Sequence, residues 1–325
     1  MSLICFHASH EQFSPSRLLK LAISAQEAGF EAIHSSDHFH PWSKRQGESG
    51  FSFAWLGAAM QATSIPFSVV CAPGQRYHPA IVAQAIATLA EMFPSRFDVE
   101  LGTGEALNES IVAEPWPSKD DRCKRLEESV SVIRRLLNGE EVTHKGMVNV
   151  QQARLYTLPT ISPLIYGAAI SDESCAWVGS WADGLLTTAD GVESAAKKIE
   201  IFRQNGGYNK PFNIQLCFSY ATTMAEAEAG AYDQWRTNLI APKKLANVST
   251  TEQFDELAET ITMEDVTEAV KPITTIADLL QWIAPYRELG ASRIILHNIH
   301  PNQEHFIAEY GHYHAAYDST TGLSV

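Results

Sequence analysis

The segment HSSDHFHPW, residues 34–42, concentrates side chains that transfer protons or bind metals. A histidine such as His38 exchanges protons near neutral pH and also serves as a metal ligand. Asp37 adds a carboxylate, and Trp42 offers a flat apolar surface to a bound ring. The segment therefore fits three interpretations: a metal-binding cluster, the catalytic end of a strand, or a polar loop rich in histidine.

A second polar segment, GTGEALNE at residues 102–109, contains Thr103, Glu105 and Asn108. It lacks both the residue order of a P-loop and the glycine spacing of a dinucleotide-binding turn, so it does not predict a nucleotide site. Its glycines instead allow a tight turn beside a bound ring, which would bring Glu105 into a pocket. Taken singly, each of these polar residues is equally compatible with capping a loop.

A third segment, GAAISDE at residues 167–173, has small residues and then Ser171 and Asp172 between a strand pattern and a helix pattern. Free backbone N–H groups at such a helix N-terminus attract phosphate through hydrogen bonds and the helix dipole. Either residue can equally act as an ordinary helix cap. The segment is thus a candidate phosphate site with a structural alternative.

The elements that must position these segments follow from periodicity. Short apolar runs alternate with helical patterns, as in LICFHA followed by PSRLLKLAISAQEAG. EEVTHKGMVNV predicts a small hairpin insertion near 140–150, and residues 225–272 predict an acidic helical insertion. About eight strand–helix repeats in a single domain over residues 1–325 predict a (β/α)8 TIM barrel with insertions.

In such a barrel the active site lies at the carboxyl ends of the strands. That rule brings together polar residues from distant parts of the chain. Besides the segments above, it selects three residues at strand ends as candidate substrate contacts: Glu11, Thr188 and His297.

Charge and cysteine usage narrow the class of protein. The formal net charge is −14, without a basic cluster, which argues against nucleic-acid or anionic-membrane partners. The N-terminal residues lack the features of a secretory signal, and no apolar run approaches the length of a membrane span. The five cysteines have neither metal-binding nor disulfide spacing. We expect a cytoplasmic protein with a small-molecule substrate.

A metal-dependent hydrolase is the first alternative from the residues. His38 and His40 alternate about a strand end, and Glu105 and His297 could complete a ligand set. The neighbouring Pro41-Trp42 and the apolar surroundings instead favour the wall of a site for a flat organic ring. We therefore predict no metal, and His40 has no assigned role.

The segments SDHFHPW, QRYHPAIVAQAIATLAEMFPSRF and GTGEALNE, with HASHEQFSP before them, together carry a family resemblance. In this order they resemble the deazaflavin-dependent (coenzyme F420-dependent) glucose-6-phosphate dehydrogenase group of the bacterial luciferase-like family. The resemblance is dense in the first part of the chain and traceable through most of the rest. It implies a (β/α)8 barrel and a flavin-type oxidoreductase that transfers hydride to or from a small organic substrate; a monooxygenase is also possible.

The resemblance also implies residue roles. His38 would act as general acid/base, Glu105 as its companion proton donor, and Trp42 would stack near the substrate. Asp37 would line the flavin-type ring. The other implied cofactor contacts are Val69 and Val70, through a bulged or cis peptide behind the ring, Thr103 and Asn108, and Ala168, Ala169, Ile170 and Ser171 at the phosphate.

Two departures from the group bear on the substrate. Gly191 stands where we align a phosphate-binding lysine, and Ala269 is near the place of an expected arginine. A phosphate dianion without a cationic partner binds poorly, so glucose 6-phosphate is not the expected substrate.

The strongly acidic composition also disfavours the anionic tail of coenzyme F420, so FMN is the preferred cofactor and coenzyme F420 the alternative. A non-catalytic flavin-binding protein is the second rival. Family members are commonly dimers, which implies a homodimer.

Overall fold

The computed structural model describes residues 2–321, with the side chains of 242–243 and 317–321 outside that description. Eight parallel strands form a closed ring, because the strand Phe212–Tyr220 pairs with Arg293–Asn298 on one side and with Gly184–Thr188 on the other. The predicted (β/α)8 barrel is confirmed. The ring consists of β1 (Leu3–Ala8), β2 (Ala32–Ser36), β3 (Phe67–Cys71), β4 (Phe97–Leu101), β7 (Ile165–Ala168), β8 (Gly184–Thr188), β9 (Phe212–Tyr220) and β11 (Arg293–Asn298).

Three further strands lie outside the ring. β5 (Val142–Lys145) and β6 (Asn149–Ala153) form an antiparallel hairpin, and β10 (Lys271–Ile273) pairs with β9. Within the described residues, no helix is long and apolar enough to cross a membrane.

Helices cover the barrel and carry the longest insertion. The covering helices bury apolar stripes such as Leu18, Leu21 and Ala22 against the strands, as amphipathic periodicity requires. Between β9 and β10, residues 224–269 form four helices instead of one. The helices are α1 (Pro15–Glu27), α2 (Ser52–Ala62), α3 (Pro79–Met92), α4 (Ala106–Glu109), α5 (Lys119–Leu137), α6 (Asp172–Trp181), α7 (Val192–Phe202), α8 (Met224–Trp235), α9 (Pro242–Leu245), α10 (Thr251–Leu257), α11 (Met263–Ala269), α12 (Ile276–Glu288) and α13 (Gln303–Thr321).

Alternate residues of each barrel strand face opposite layers. One set packs against the helices in the main core, while the other set faces the barrel interior. Branched aliphatic side chains usually fill such an interior. Here an apolar layer around Cys5, Ala32 and Ile295 is accompanied by buried His7, His34 and Glu100. The interior beneath the site is therefore unusually polar.

A buried ion network ties two barrel loops together. The Arg76 guanidinium donates to Asp37 Oδ2 at 2.9 Å and to Glu109 Oε1 at 3.3 Å, and the backbone N–H of Arg76 donates to Glu109 Oε2 at 2.8 Å. All three side chains are 5% exposed or less. Asp37 follows β2 and Glu109 ends α4, so the network sets the position of one loop relative to the other.

Removing the Arg76 charge should destabilise the fold strongly. In Arg76→Met, Asp37 and Glu109 stay buried without a counter-charge, and we expect the free energy of unfolding to fall by about 3–5 kcal/mol. Denaturant unfolding measures this. The matched control is Arg17→Met, which breaks the exposed Arg17–Glu304 pair and should cost less than about 1 kcal/mol. Equal losses in the two variants would contradict a structural role for the buried network.

Candidate active site

The centre of the candidate site is a hydrogen-bonded pair formed by His38 and Glu11. His38 Nδ1 contacts Glu11 Oε1 at very short range. Glu11 also accepts from Ser36 Oγ at 2.7 Å and from Ser9 Oγ at 2.8 Å, so its carboxylate is held in one orientation. The two residues follow β2 and β1, at the carboxyl ends of neighbouring strands. Because Nδ1 of His38 is engaged, Nε2 is the ring nitrogen left for a substrate.

The pair shifts the pKa of each partner. Burial alone would lower the pKa of His38, but the Glu11 carboxylate, helped by Glu105, raises it above its usual value. Burial alone would raise the pKa of Glu11, yet the contacts with His38 and Ser36 hold it well below its usual range. Glu11 is therefore an acceptor that favours the charged form of His38.

Glu105 has the opposite electrostatic environment. It lies at the start of α4, where its side chain does not cap the helix. Burial raises the pKa of Glu105 against the effect of the His38 charge, and the carboxylates of Glu109 and Glu11 raise it further. Carboxyl groups with pKa values shifted in opposite directions are typical of acid/base sites, in which one holds a proton and the other does not.

Trp42 joins the site to the helical insertion. Its ring lies 5.1 Å from that of His38 and 5.5 Å from that of Phe254, edge to face in both cases. Its backbone N–H donates to Gln46 Oε1 at 2.9 Å. Trp42 therefore forms one wall beside His38.

Asn108 and Gly104 provide a place where a ring could approach the chain. Asn108 Oδ1 accepts from the N–H groups of Phe39 and His40 at 2.8 and 3.0 Å, which holds the loop after His38. Its buried Nδ2 has no hydrogen-bond partner in the described part of the chain. Gly104 has φ +76°, and a Cβ there would lie 2.9 Å from Glu109. Thr103, in the same turn, is half-buried. An unpaired amide beside a turn that only glycine fits is suited to the polar edge of a flavin-type ring.

The residues of the predicted phosphate segment differ in whether they could contact a phosphate. It connects β7 to α6, and Ser171 Oγ accepts from Ser174 N at 3.2 Å as an ordinary cap. Ala169 is corrected, because its N–H donates to Leu186 O at 2.9 Å and is unavailable to a phosphate. Ala168 lies in the barrel wall. Ile170 and Ser171 are both exposed, so they are the residues of this segment that a phosphate could reach.

The prediction for Val69 and Val70 is wrong in part. The described peptide bonds include no cis bond, and both residues lie in the regular strand β3. Val69 is fully buried against the helix layer, since strand residues alternate between faces. Val70 faces the barrel interior, so it is the one of the two that lies on the side of the site.

The three predicted substrate contacts differ in their availability. Glu11 is engaged with His38. Thr188 is half-buried, and its carbonyl accepts from Lys198 Nζ at 2.9 Å. His297 Nδ1 lies 3.0 Å from Gln215 Nε2, and its buried Nε2 has no partner among the described residues. Burial lowers the pKa of His297 to about 3, so the ring is neutral and offers Nε2–H as a donor.

The structure gives His40 a role and weakens the metal interpretation. His40 Nδ1 hydrogen-bonds Leu107 O at 2.8 Å, which supports α4. His38 and His297 are likewise engaged through Nδ1. The residues described contain no group of three or more His, Cys, Asp or Glu side chains placed to hold a metal ion.

Several residues that organise the site were not selected from the sequence. Arg76 lies in QRYHPA, where nothing local shows that Asp37 and Glu109 will face it. Ser52 Oγ donates to Asp37 Oδ1 at 2.7 Å, and Ser49 Oγ donates to His38 O at 2.6 Å. The length of the loop after HSSDHFHPW was the available signal, because long loops at strand ends often hold site residues.

The chain is similar to known proteins over most of its length. The F420-dependent glucose-6-phosphate dehydrogenase of Nakamurella multipartita is 31% identical over 94% of this chain and 93% of its own length. A solved F420-dependent secondary alcohol dehydrogenase, in complex with an F420-acetone adduct, is 29% identical with a TM-score of 0.87, covering 96% of this chain and 98% of that chain. EDTA monooxygenase from Chelativorans sp. shares the fold, with 12% identity, a TM-score of 0.73, and coverage of 96% and 93%.

The family match itself covers most of the chain. The model described as luciferase-like monooxygenase matches residues 1–292, which include every barrel strand except β11. The predicted family resemblance is confirmed, and the protein belongs to the bacterial luciferase-like family of oxidoreductases and monooxygenases.

Proposed function

We propose that this protein is a coenzyme F420-dependent dehydrogenase that interconverts a small uncharged secondary alcohol and its ketone. The observation that carries the proposal is the His38–Glu11 pair beside a carboxyl, Glu105, with a raised pKa. The glucose-6-phosphate dehydrogenase and the secondary alcohol dehydrogenase described above, at 31% and 29% identity, both carry F420 in their names. We therefore take coenzyme F420 as the cofactor in place of FMN, which the acidic composition favoured. When bound, the deazaflavin would accept or supply the hydride.

The chain's own residues would manage the protons. His38 keeps its hydrogen on Nδ1 because Glu11 accepts it, so Nε2 is the base for the alcohol hydroxyl. Glu105 holds a proton at a carboxyl in the segment that would contact the ring, together with Asn108. The neutral His297 would donate to the substrate oxygen. Trp42 would exclude water on one side, and residues Ile170 and Ser171 would meet the cofactor phosphate.

The charge around the site supports an uncharged substrate. Two basic groups near it are engaged: Arg76 with Asp37 and Glu109, and buried Lys198 with the Thr188 carbonyl. A third, Arg122, interacts with Glu105 and donates from Nη1 to Pro117 O at 2.8 Å. At Gly191, a Cβ would meet nothing within 4 Å, so this position offers open space and no ammonium group. Ala269 is exposed on α11. Neither position at which a phosphate-binding cation was expected therefore carries one.

The substrate test compares 2-propanol with glucose 6-phosphate. With coenzyme F420 bound, 2-propanol and larger secondary alcohols should give saturable reduction of the coenzyme, and glucose 6-phosphate should not. Gly191→Lys should allow measurable sugar-phosphate turnover, because φ of 164° at this position suits any residue and the space is open. Saturable kinetics with glucose 6-phosphate in the unsubstituted protein would contradict the proposal.

The cofactor test titrates the protein with coenzyme F420 and FMN in parallel. Tighter binding of FMN, with oxygen consumption, would favour a monooxygenase. A bound ring that no alcohol, ketone or nicotinamide donor reduces or reoxidises would favour the non-catalytic binder.

Replacing His38 should separate catalysis from binding. We expect His38→Ala to lower turnover by about 10²–10⁴-fold, the usual range for a general acid/base, while the Kd for the coenzyme changes little. The matched variant is His40→Ala, which should lose far less turnover because His40 contacts Leu107 and not the reacting centre. Similar losses at both histidines, restored by added zinc, would favour the metal interpretation instead.

Replacing Glu11 should move the pH profile. Alcohol oxidation needs neutral His38, so the rate rises with pH through the raised pKa of His38. Glu11→Gln removes the charge that raises this pKa, and the acidic limb of the kcat profile should move to lower pH. Ser9→Ala, which removes one hydrogen bond to Glu11, should shift it less. If the acidic limb of the kcat profile of Glu11→Gln does not move, His38 is not the titrating base.

A further inference from the structure

A column of buried titratable side chains lies beneath the site and has no part in the chemistry described so far. His34 and Glu100 are 0% exposed, and His7 is 4% exposed. They come from β2, β4 and β1 and occupy a barrel interior that aliphatic side chains usually fill. Buried polar groups are destabilising unless they are paired, so we expect the column to lower the stability of the fold.

The contacts within the column are arranged in series. His7 Nδ1 and His34 Nδ1 are 2.8 Å apart, a hydrogen bond between two ring nitrogens. On the other side of its ring, His34 Nε2 is 3.7 Å from Glu100 Oε2, slightly beyond hydrogen-bonding range. In the described part of the chain, neither of these two atoms has a hydrogen-bond partner. The order is therefore Glu100, His34, His7.

The contact between His7 and His34 couples their tautomers. Burial keeps the pKa of both rings well below the usual value, so both are neutral. A hydrogen bond between two Nδ1 atoms then requires one ring to carry a proton there and the other to carry none. When His34 holds the shared proton, its Nε2 is bare and faces a protonated Glu100. When His7 holds it, His34 carries its proton on Nε2 and faces an ionised Glu100.

We propose that Glu100, His34 and His7 form a buried proton relay that exchanges a proton with the Glu11–His38 pair during hydride transfer. This inference rests on the proposed dehydrogenase function. The upper end of the relay lies beside the site: the His7 ring is 4.0 Å from that of His297, and the charge of Glu11 acts on both His7 and His38.

The proton movements balance in both directions. In alcohol oxidation His38 takes the hydroxyl proton on Nε2 and releases its Nδ1 proton to Glu11, which passes a proton over one water to His7 Nε2. His7 then releases its Nδ1 proton to His34 Nδ1, and His34 releases its Nε2 proton to the Glu100 carboxylate. Each bond that forms to hydrogen replaces one that breaks, and the column gains one proton, held by Glu100. Ketone reduction reverses each transfer.

Glu100 has the properties of a proton store. Burial raises the pKa of Glu100 to about 8, although Arg293 opposes the rise, so the group loads and unloads near physiological pH. Arg293 also pairs with Asp98 at 2.8 Å, and this pair is partly exposed, which gives the column a route to solvent. The titratable and charged groups that face Glu100 from the surrounding strands are His34, Cys5, Cys71, Asp98, Tyr166 and Arg293.

The first test reads the tautomers directly and does not depend on turnover. Histidine-selective ¹⁵N NMR of the full chain should show His7 and His34 exchanging tautomers with a midpoint near pH 8, as Glu100 ionises. Glu100→Gln keeps the shape and a hydrogen-bond donor but cannot ionise, so the exchange should disappear. Ser68→Ala removes a hydroxyl that lowers the pKa of Glu100, so it should retain the exchange with its midpoint moved to higher pH. Tautomers that do not change with pH in the unsubstituted protein would overturn the relay.

The second test measures the reaction. With coenzyme F420 and alcohol saturating, kcat should show an inflection near pH 8 that Glu100→Gln and His7→Gln both remove. Above this inflection, kcat of Glu100→Gln should be lower by about tenfold, less than for a general acid/base in contact with substrate. The Kd for F420 should be unchanged. A retained inflection would overturn the proposal. If no alcohol is oxidised at all, the dehydrogenase proposal fails, and the NMR result still decides whether the proton column exists.

Discussion

The buried guanidinium of Arg76 is the constraint on which the geometry of the site depends. A charge taken out of water is strongly destabilising unless it is paired with good geometry, so Asp37 and Glu109 must lie where the planar guanidinium can reach both. Those two carboxylates belong to the loops that also carry His38 and Glu105. Asn108 adds a second tie between the same loops through Phe39 and His40. Two loops from distant parts of the chain are thereby held in a single relative arrangement.

Within that frame, local environments assign different protonation states to similar groups. Glu11 is held ionised by His38 and Ser36, whereas Glu105 is driven toward its neutral form by burial and by neighbouring carboxylates. The pKa of His38 is raised by the same Glu11 charge, whereas burial lowers the pKa of His7, His34 and His297 and keeps these rings neutral. A barrel interior that is polar rather than aliphatic extends this gradient below the site. The chemistry therefore depends on burial and charge as much as on residue type.

Much of the fold and part of the site were predictable. The apolar run LICFHA forms β1 with the bounds predicted from the sequence, and the alternation of strand and helix patterns was sufficient to predict the closed barrel. Asp37, His38 and Glu105 lie near strand ends, where barrel topology concentrates functional groups. The alternation of strand residues already indicates that Val69 and Val70 face opposite layers. The hydrogen bond from Ala169 N–H to Leu186 O could not be predicted in this way, because strand register is a tertiary property.

Local chemistry and periodicity, which the sequence contains by itself, determined the barrel, the strand ends and the candidate proton-transfer groups. Only the tertiary structure decided which groups act together: Arg76 with Asp37 and Glu109, Glu11 with His38, and His34 with His7 and Glu100. These partners are separated by tens of residues in the chain, and closure of the barrel brings them into contact. The reason is physical, since a pKa or a tautomer is set by the distance to other charges and by exclusion of water. Neither quantity exists until distant strands have packed together.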